Sequence, residues 1–303
     1  MTMTELNANS RISLRMLRYF QVLAEELHFG RAAQRLNISQ PPLSVQIKEL
    51  EECIGTALFE RTSRKVVLSS AGTALKAEVD RLLSATEQSL NYVRQIGRHA
   101  HQQIQIGIIG SALWGALLPR LSAFKAHYPQ VIWQLRELSQ FTQIEALKAR
   151  TIDIAIQRSL SPHVERDIHA RRITRETLQV AVPQQDALSQ RPRLALTALA
   201  RHPFISLSFD HSDFPAQIYA RCVSAGFYPH ITHQVQEPQT ALALVSAGVG
   251  VSLLPASCGL IHWPGVTFVP LQEAIPADLY ALWYGDEQPP MVQQFISTLA
   301  ASE

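Results

Sequence analysis

The chain has 303 residues, 47% of them hydrophobic and 17% charged, which describes a folded protein of two or three compact units and excludes a disordered or collagen-like chain. The formal net charge of +2 is too small to hold the protein on nucleic acid by bulk charge, so a DNA-binding role would need a specific motif. Three cysteines far apart, without a C-x-x-C pair, exclude a disulfide framework or a zinc cluster and favour a reducing compartment.

No targeting or membrane segment is indicated by the sequence. The first 13 residues are polar and lack the apolar centre of a signal peptide. Residues 238–272 contain no Asp, Glu, Lys or Arg, but glycines and prolines interrupt the run repeatedly. We therefore expect a buried helix followed by a strand there, and a cytoplasmic protein with no membrane contact.

The N-terminal third begins with three short helices, predicted near residues 14–23, 30–36 and 41–54 from the helical spacing of their apolar residues. A two-stranded hairpin follows in ALFERTSRKVVL. The chain then forms one long helix from Thr73 to Ile96, with apolar residues in steps of three and four. Such a stripe needs a partner, and we expect a second copy of the chain, although the stripe could also pack on its own domain.

Beyond residue 98 short β-runs alternate with helices. IQIGII, VIWQLRE and IDIAIQR are separated by two helical segments, a βαβαβ pattern that predicts a parallel sheet. A second series runs from LQVAVP to VGVSLLP and predicts a second such unit. The last strand and helix, LYALWY and MVQQFISTLA, have no nearby partner and are expected to return to the first unit, which makes a two-lobed module with a cleft.

Two prolines, Pro41 and Pro42, stand at the start of the third helix. Proline suits a first helical turn because its φ is already helical and its missing N–H would have no partner there. Such an abrupt start after a tight turn is typical of a helix-turn-helix, whose second helix reads the major groove of DNA. Ser39 would be the N-cap, and Gln40 and Ser44 would project as polar readers one turn apart. An ordinary helical hairpin without a ligand remains the alternative.

The segment LRYFQVLAEELHFGRAAQRLNISQPPLSVQIKELEECIGTALFERTSRKVVLSSAG resembles the N-terminal domain of LysR-type transcriptional regulators. The dense match covers residues 14–72, and the chain length, the long helix and the α/β remainder also fit. The SQPPLS form is similar to the branch that senses muconate. The resemblance implies an all-α winged helix-turn-helix at 12–70, a dimerising linker helix at 71–98 and a two-lobed α/β domain, like periplasmic binding proteins, at 102–303. Its lobe I would span about 102–171 and 273–303, and lobe II about 172–272.

The same resemblance assigns DNA contacts residue by residue. Bases would be read by early residues of the third helix, where Gln suits adenine by its bidentate geometry. Val45 replaces the family's usual arginine, which removes one base-contacting cation. Cations of the second helix, the third helix and the wing would contact phosphate or the minor groove, with the wing arginine at Arg64. The predicted DNA-binding residues are Arg31, Ser39, Gln40, Pro41, Pro42, Ser44, Lys48, Arg61, Arg64 and Lys65.

In the family a small effector lies between the two lobes. Here the first strand ends at Gly110 and Ser111, and a helix beginning near Ala112 would direct free N–H groups and its dipole at an anion beside the Ser111 hydroxyl. By family position, Gln140 would face the same cleft, Phe214 would come from the other lobe, and Val249 and Gly250 would supply backbone at the far wall. Ser111 could instead simply cap its helix, and Phe214 could be a core residue.

We therefore expect a LysR-type regulator, active as a dimer or tetramer, whose DNA binding responds to a small anionic metabolite, namely a carboxylate. No cofactor, metal site or catalytic residue is predicted, because the chain has no G-x-S-x-G, P-loop or H-E-x-x-H motif. Two alternatives stay open: a solute-binding protein with an N-terminal oligomerisation stalk, and a redox sensor using Cys222 or Cys258. The helical spacing of Cys222 favours a buried thiol.

Overall fold

The computed structural model describes residues 11–61, 65–100, 102–158, 160, 166–286 and 288–300. The chain divides into two compact units, Met1–Leu90 and Asn91–Glu303. The division falls within the long helix, so each unit contains part of it.

The N-terminal unit contains three short helices, a β-hairpin and the start of the long helix. Their bounds are α1 Leu14–Glu26, α2 Phe29–Arg35, α3 Gln40–Ile54, β1 Phe59–Arg61, β2 Val66–Leu68 and α4 Ser70–Ala100. The two strands pair antiparallel, with Phe59 opposite Leu68. The predicted helices, hairpin and long helix are thus all confirmed.

A single apolar core joins these elements. Phe20 and Leu23 of α1 and Leu43 and Ile47 of α3 are fully buried. The first turns of α4 pack on the same core through Val79. Burying these side chains is the main stabilising term for a unit of this size, at about 1.5–3 kcal/mol for each large apolar residue.

The glycine of the SSAG segment is required by a close approach of two backbones. Ser69 precedes α4, and its Oγ accepts a hydrogen bond from the Gly72 N–H at 3.0 Å. A Cβ at position 72 would overlap the carbonyl oxygen of Leu58. Glycine therefore lets the start of α4 pack directly against the strand-entry segment of the hairpin.

The C-terminal unit is an α/β structure of two lobes. Its further helices and strands, in chain order, are β3 Gln103–Ile108, α5 Leu117–His127, β4 Ile132–Glu137, α6 Gln140–Lys148, β5 Ile154–Arg158, β6 Ile168–Thr174, β7 Leu178–Pro183, β8 Pro203–Leu207, α7 Phe214–Ser224, β9 His230–Val235, α8 Pro238–Ser246, β10 Ser252–Pro255, β11 Val266–Pro270, β12 Leu279–Tyr284 and α9 Pro290–Ala300. Short 3-10 turns lie at Gly110–Trp114, Ala187–Gln190, Leu196–Leu199 and Ala256–Leu260.

The first lobe is built on a five-stranded sheet of order β4-β3-β5-β12-β6. As predicted, β3 pairs parallel with β4 and β5. The late strand β12 pairs antiparallel with β5 and β6, and α9 packs its Phe295 against Phe124 of α5. The chain therefore returns to the first lobe at its end. The lobe also includes β6, a strand absent from the sequence prediction, which ends at Thr174.

The second lobe differs from the predicted second parallel unit. Its strands β10, β7 and β11 form a three-stranded antiparallel sheet. Strands β8 and β9 form a separate two-stranded parallel sheet. Strand β11 was not predicted, because it lies in the apolar, proline-rich run after α8. The uncharged run 238–272 does form a helix followed by a strand. Across the described ranges, no helix combines the length and apolar character needed to cross a membrane.

Candidate functional site

The first candidate site is the exposed face of α3 in the N-terminal unit. This helix buries Leu43, Ile47 and Leu50 against the core and leaves Gln40, Pro41 and Pro42 exposed at its first turn. Ser44 is half-buried on the following turn. The helix thus has one apolar face that fixes its position and one open face at its N-terminal end, which is the arrangement that base reading requires.

Val45 lies on the same open face and is 54% exposed. An exposed valine next to the predicted polar readers has no packing role within the described chain. It can contact a thymine methyl group but cannot donate a hydrogen bond to guanine. This residue therefore shifts the expected base preference away from that of an arginine at the same position.

Ser39 occupies the N-cap position of α3, and Pro41 is at the start of the helix as predicted. However, the Ser39 side chain makes no capping hydrogen bond, in contrast to Ser13, which accepts one from the Met16 N–H. The proline explains why, since fewer N–H groups at this turn need an acceptor. The exposed Ser39 hydroxyl is consequently not used in capping.

The predicted cations lie around this face in different settings. Arg31 binds Glu26 through its Nε at 3.3 Å and the Glu26 carbonyl oxygen at 2.6 Å, and Lys48 lies 3.6 Å from Glu52. These pairs are exposed and therefore weak, so phosphate can replace the carboxylate. The backbone of Arg61 lies in β1, and Lys65 is exposed beside β2. Arg64 lies outside the described residues.

The second candidate site is a cavity of about 260 Å³ between the two lobes of the C-terminal unit, here named the interlobe cavity. Its lining includes three predicted residues, Ser111, Gln140 and Phe214. Apolar walls come from side chains such as Leu138 and Pro238. A concave site of this size with a few polar groups fits a small molecule.

The structure corrects one feature of the predicted site and reconciles the two alternatives for another. Ser111 is buried in the cavity wall, but it lies in a short 3-10 turn and not at the start of an α-helix. The expected convergence of helix N–H groups and dipole on an anion is therefore missing there. Phe214 both lines the cavity and belongs to the core of the second lobe, so the two alternatives for it are compatible.

Val249 and Gly250 do not line the interlobe cavity. Val249 packs in the core of the second lobe. The neighbouring Val251 donates its N–H to the Pro203 carbonyl oxygen at 2.9 Å, and a Cβ on Gly250 would overlap that oxygen. Glycine is thus needed for backbone packing between two strands, which explains the motif without a ligand.

The floor of the cavity holds a buried arginine that the sequence analysis missed. Arg158 ends β5 and is 2% exposed, and its Nη1 lies 2.5 Å from Glu176 Oε2 and 2.7 Å from the Ala277 carbonyl oxygen. Its Nη2 donates to Ser257 Oγ at 3.0 Å and approaches the Ser111 carbonyl oxygen at 3.4 Å. The guanidinium joins segments of both lobes, and its charge is already neutralised by Glu176.

Two carboxylates also line the cavity and were missed. Glu137 ends β4 in the first lobe, and Glu237 precedes α8 in the second. A Cβ on Gly110 would overlap Glu137 Oε1 and lie 3.6 Å from Glu237 Oε2, so both carboxylates approach the same glycine. Burial and the charge of Glu137 raise the pKa of Glu237, while His211 lowers it.

Two buried glutamines also belong to the polar lining. Gln140 Oε1 accepts the Asp213 N–H at 3.2 Å across the two lobes, but its Nε2 has no partner within the described residues. Gln157 is fully buried, and neither its Oε1 nor its Nε2 has a partner within them. Unpaired buried amides each cost about 1–3 kcal/mol, so the cavity is poised to bind polar atoms.

A buried carboxylate attaches the end of α4 to the first lobe. Asp153 Oδ1 accepts Gln95 Nε2 at 2.7 Å and lies 3.1 Å from His99 Nε2, while its Oδ2 accepts the Gln105 N–H at 2.6 Å. Burial opposes ionisation of Asp153, but these hydrogen bonds together outweigh it and keep its pKa below the ordinary value. Asp153 is therefore anionic at neutral pH and fixes the last turns of the helix.

Two of the three cysteines lie in the core as structural thiols. Cys222 and Cys258 are fully buried, and burial raises the pKa of Cys222 to about 11 and that of Cys258 to about 12. A reactive sensor needs an accessible thiolate. The buried-thiol interpretation of Cys222 is thus favoured over the redox-sensor alternative.

Two family models match this chain. The model "Bacterial regulatory helix-turn-helix protein, lysR family" matches residues 14–73, and "LysR substrate binding domain" matches residues 97–302. Together with the helix-turn-helix and the two-lobed α/β unit, these matches show that the chain belongs to the LysR family of transcriptional regulators.

Relatives and solved structures agree with this assignment. The HTH-type transcriptional regulator XapR of Escherichia coli (strain K12) is 39% identical over 289 residues, which are 95% of this chain and 98% of XapR. Full-length CbnR in complex with its target DNA is 27% identical with a TM-score of 0.58, covering 95% of this chain and 98% of that one. The effector-binding domain of BenM with its effector benzoate is 27% identical with a TM-score of 0.60, covering 65% and 90%. The narrower resemblance to a muconate-sensing branch is not confirmed.

Proposed function

We propose that this LysR-type regulator reads promoter DNA with the open face of α3 and that a small molecule in the interlobe cavity controls the binding. One observation carries the proposal: α3 buries one face in its own core and leaves Gln40, Pro41 and Val45 exposed together. The CbnR complex with target DNA and the BenM domain with benzoate support the two halves of this function. Because its target is DNA and its relatives are regulators, the protein acts in the cytoplasm and without catalysis.

The regulator works as an oligomer formed through α4. Beyond the core contacts near Val79, this helix exposes a stripe of apolar side chains. The stripe consists of Leu82, Leu90, Val93 and Ile96, each between 45% and 67% exposed. A second copy would bury this stripe, and dimers reading two half-sites gain both affinity and spacing specificity. Dimers pairing into tetramers are the form that the family resemblance favours.

Ligand binding reaches the DNA-binding unit through a change in lobe closure. The cavity is lined from both lobes, and the hydrogen bond from the Asp213 N–H to Gln140 spans them. A ligand that binds one degree of closure better shifts the population toward it. Asp153 transmits this shift, because it holds the end of α4 to the first lobe.

Changing Ser44 to Ala tests the reading face. We expect specific binding to weaken by about 1–3 kcal/mol, because one polar reader is lost, and binding to random DNA to stay unchanged. Fluorescence anisotropy on the protein's own upstream region and on a random duplex measures both. An equal loss on the two duplexes would remove Ser44 from the set of readers.

Changing Ser111 to Ala tests the cavity. The affinity for the effector should fall roughly two- to ten-fold, since one hydroxyl is lost from the wall, without loss of folding. Ser224, exposed at the end of α7 and outside the cavity lining, provides a matched Ser→Ala control. A ligand titration measures the affinity, and circular dichroism measures whether the variant is folded. A normal titration of the Ser111 variant would place the ligand elsewhere.

A further inference from the structure

The charged groups that line the interlobe cavity do not suit an anionic ligand. Its described ionisable lining residues are Glu137, Glu237, His211 and Arg158, and Arg158 is already paired with Glu176. Within the described residues, neither cavity glutamate has a salt-bridge or hydrogen-bond partner for its side-chain carboxylate. A carboxylate ligand would therefore meet two like charges, beside a guanidinium whose charge Glu176 already balances and of which only Nε lacks a partner, and this is unfavourable for an anion.

A simple cation does not provide partners for all the polar groups of the cavity either. It would pair with the glutamates but leave the Nε2 groups of Gln140 and Gln157 without an acceptor. These two amides are at least 98% buried, and they are observed independently of the acidic pair. The ligand must thus donate hydrogen bonds to carboxylates and also accept hydrogen bonds from amides.

A hydroxyl group performs both roles, because it donates one hydrogen bond and accepts two. Several hydroxyls on one neutral molecule would bind the carboxylates of Glu137 and Glu237 and the amide of Gln157. Phe214 and Pro238 offer apolar surface for the carbon skeleton of such a molecule. We infer that the effector of this regulator is a neutral, polyhydroxylated small molecule of the sugar type and not a carboxylate. The inference rests on the effector role proposed above for the cavity.

Thermal shift and calorimetric titration of the full-length protein without DNA test the inference. The probes are pentoses, hexoses, alditols and a ribonucleoside, compared with benzoate, muconate and putrescine. We expect at least one hydroxylated probe to bind and raise the melting temperature, and the acids and the diamine to have no effect. Tighter binding of an acid or of putrescine would overturn the inference. The absence of binding by every hydroxylated probe would overturn it as well.

Two variants test the direction in which the ligand affinity changes when a cavity charge is removed. Glu237→Gln removes the charge at constant size and should weaken a hydroxylated ligand about ten-fold or more, whereas it would strengthen an anion. Glu145→Gln, an exposed carboxylate paired with Lys148, is the matched control and should leave the affinity unchanged. Unchanged or tighter binding of the hydroxylated probe by the Glu237 variant would contradict the assignment.

Gln157→Leu separates a binding role from a structural one. Since both polar atoms of Gln157 are unpartnered, leucine should raise the melting temperature of the ligand-free protein and abolish the shift that a hydroxylated probe causes. A lowered melting temperature with normal probe binding would make Gln157 a structural residue and refute its place in the site. DNA binding, measured in parallel, is unaffected by these outcomes, so failure of the ligand class and failure of the regulator function are distinguishable.

Discussion

Changing Arg158 to Met should lower the free energy of unfolding of the C-terminal unit by about 3–5 kcal/mol, because Glu176 would keep a buried charge without its partner. Ser257 Oγ and the Ala277 carbonyl oxygen would lose their donor as well. Denaturation followed by tryptophan fluorescence measures this unit alone, since every tryptophan lies in it. The tryptophans are Trp114, Trp133, Trp263 and Trp283.

The double variant Arg158→Met with Glu176→Met serves as the control for this prediction. Replacing both charges by apolar side chains removes the buried uncompensated charge, so much of the loss should be recovered. The difference between the single and the double variant gives a lower bound on the cost of the unpaired Glu176, because Glu176→Met also removes the acceptor of the Ser257 N–H. A loss below about 1 kcal/mol in the single variant would show that the Arg158–Glu176 pair contributes no more than an exposed ion pair and does not hold the lobes together.

The second large effect is expected for Asp153→Ala. Loss of the Asp153 carboxylate leaves the Gln95 amide and the Gln105 N–H buried without an acceptor. Each unpaired group should lower the free energy of unfolding by about 1–3 kcal/mol. Asp153→Asn retains one carbonyl oxygen and should lose less. Asp286→Ala, an acid that is 94% exposed, should change the free energy of unfolding by less than about 0.5 kcal/mol.

The same variant tests the proposed coupling. If Asp153 transmits lobe closure, the alanine variant should still bind effector and DNA, but the effector should no longer alter DNA binding. Measuring the two affinities singly and together gives the coupling free energy. Intact coupling in a folded Asp153 variant would assign the transmission to other contacts.

The sequence predicts most of what local pattern determines. Helical spacing, the proline pair and the turn chemistry are local, so α1 to α4 and the hairpin were predicted with their positions. Strands β6 and β11 were not, because β6 carries a His and two adjacent arginines and β11 lies in a long apolar run with no alternation. In both cases pairing with distant strands overrides the local signal.

The cavity could be predicted only in part. Ser111 and Gln140 follow the ends of predicted strands, where ligands of α/β folds collect. Glu137 and Glu237 lie 100 positions apart in sequence, and each looks like an ordinary surface acid until the two lobes bring both to Gly110. The pairing of Arg158 with Glu176 also depends on tertiary structure, and it removes the cation that an anionic effector would need.

The most direct test of the central claim is a footprint of the full-length protein on its own upstream region, with and without each probe of the ligand panel. We expect a protected region with two half-sites, and a change in its extent or affinity with a hydroxylated probe but not with benzoate or muconate. The absence of any specific protection on that region would contradict the DNA-binding role of α3. Protection that no member of the panel alters would contradict control through the interlobe cavity.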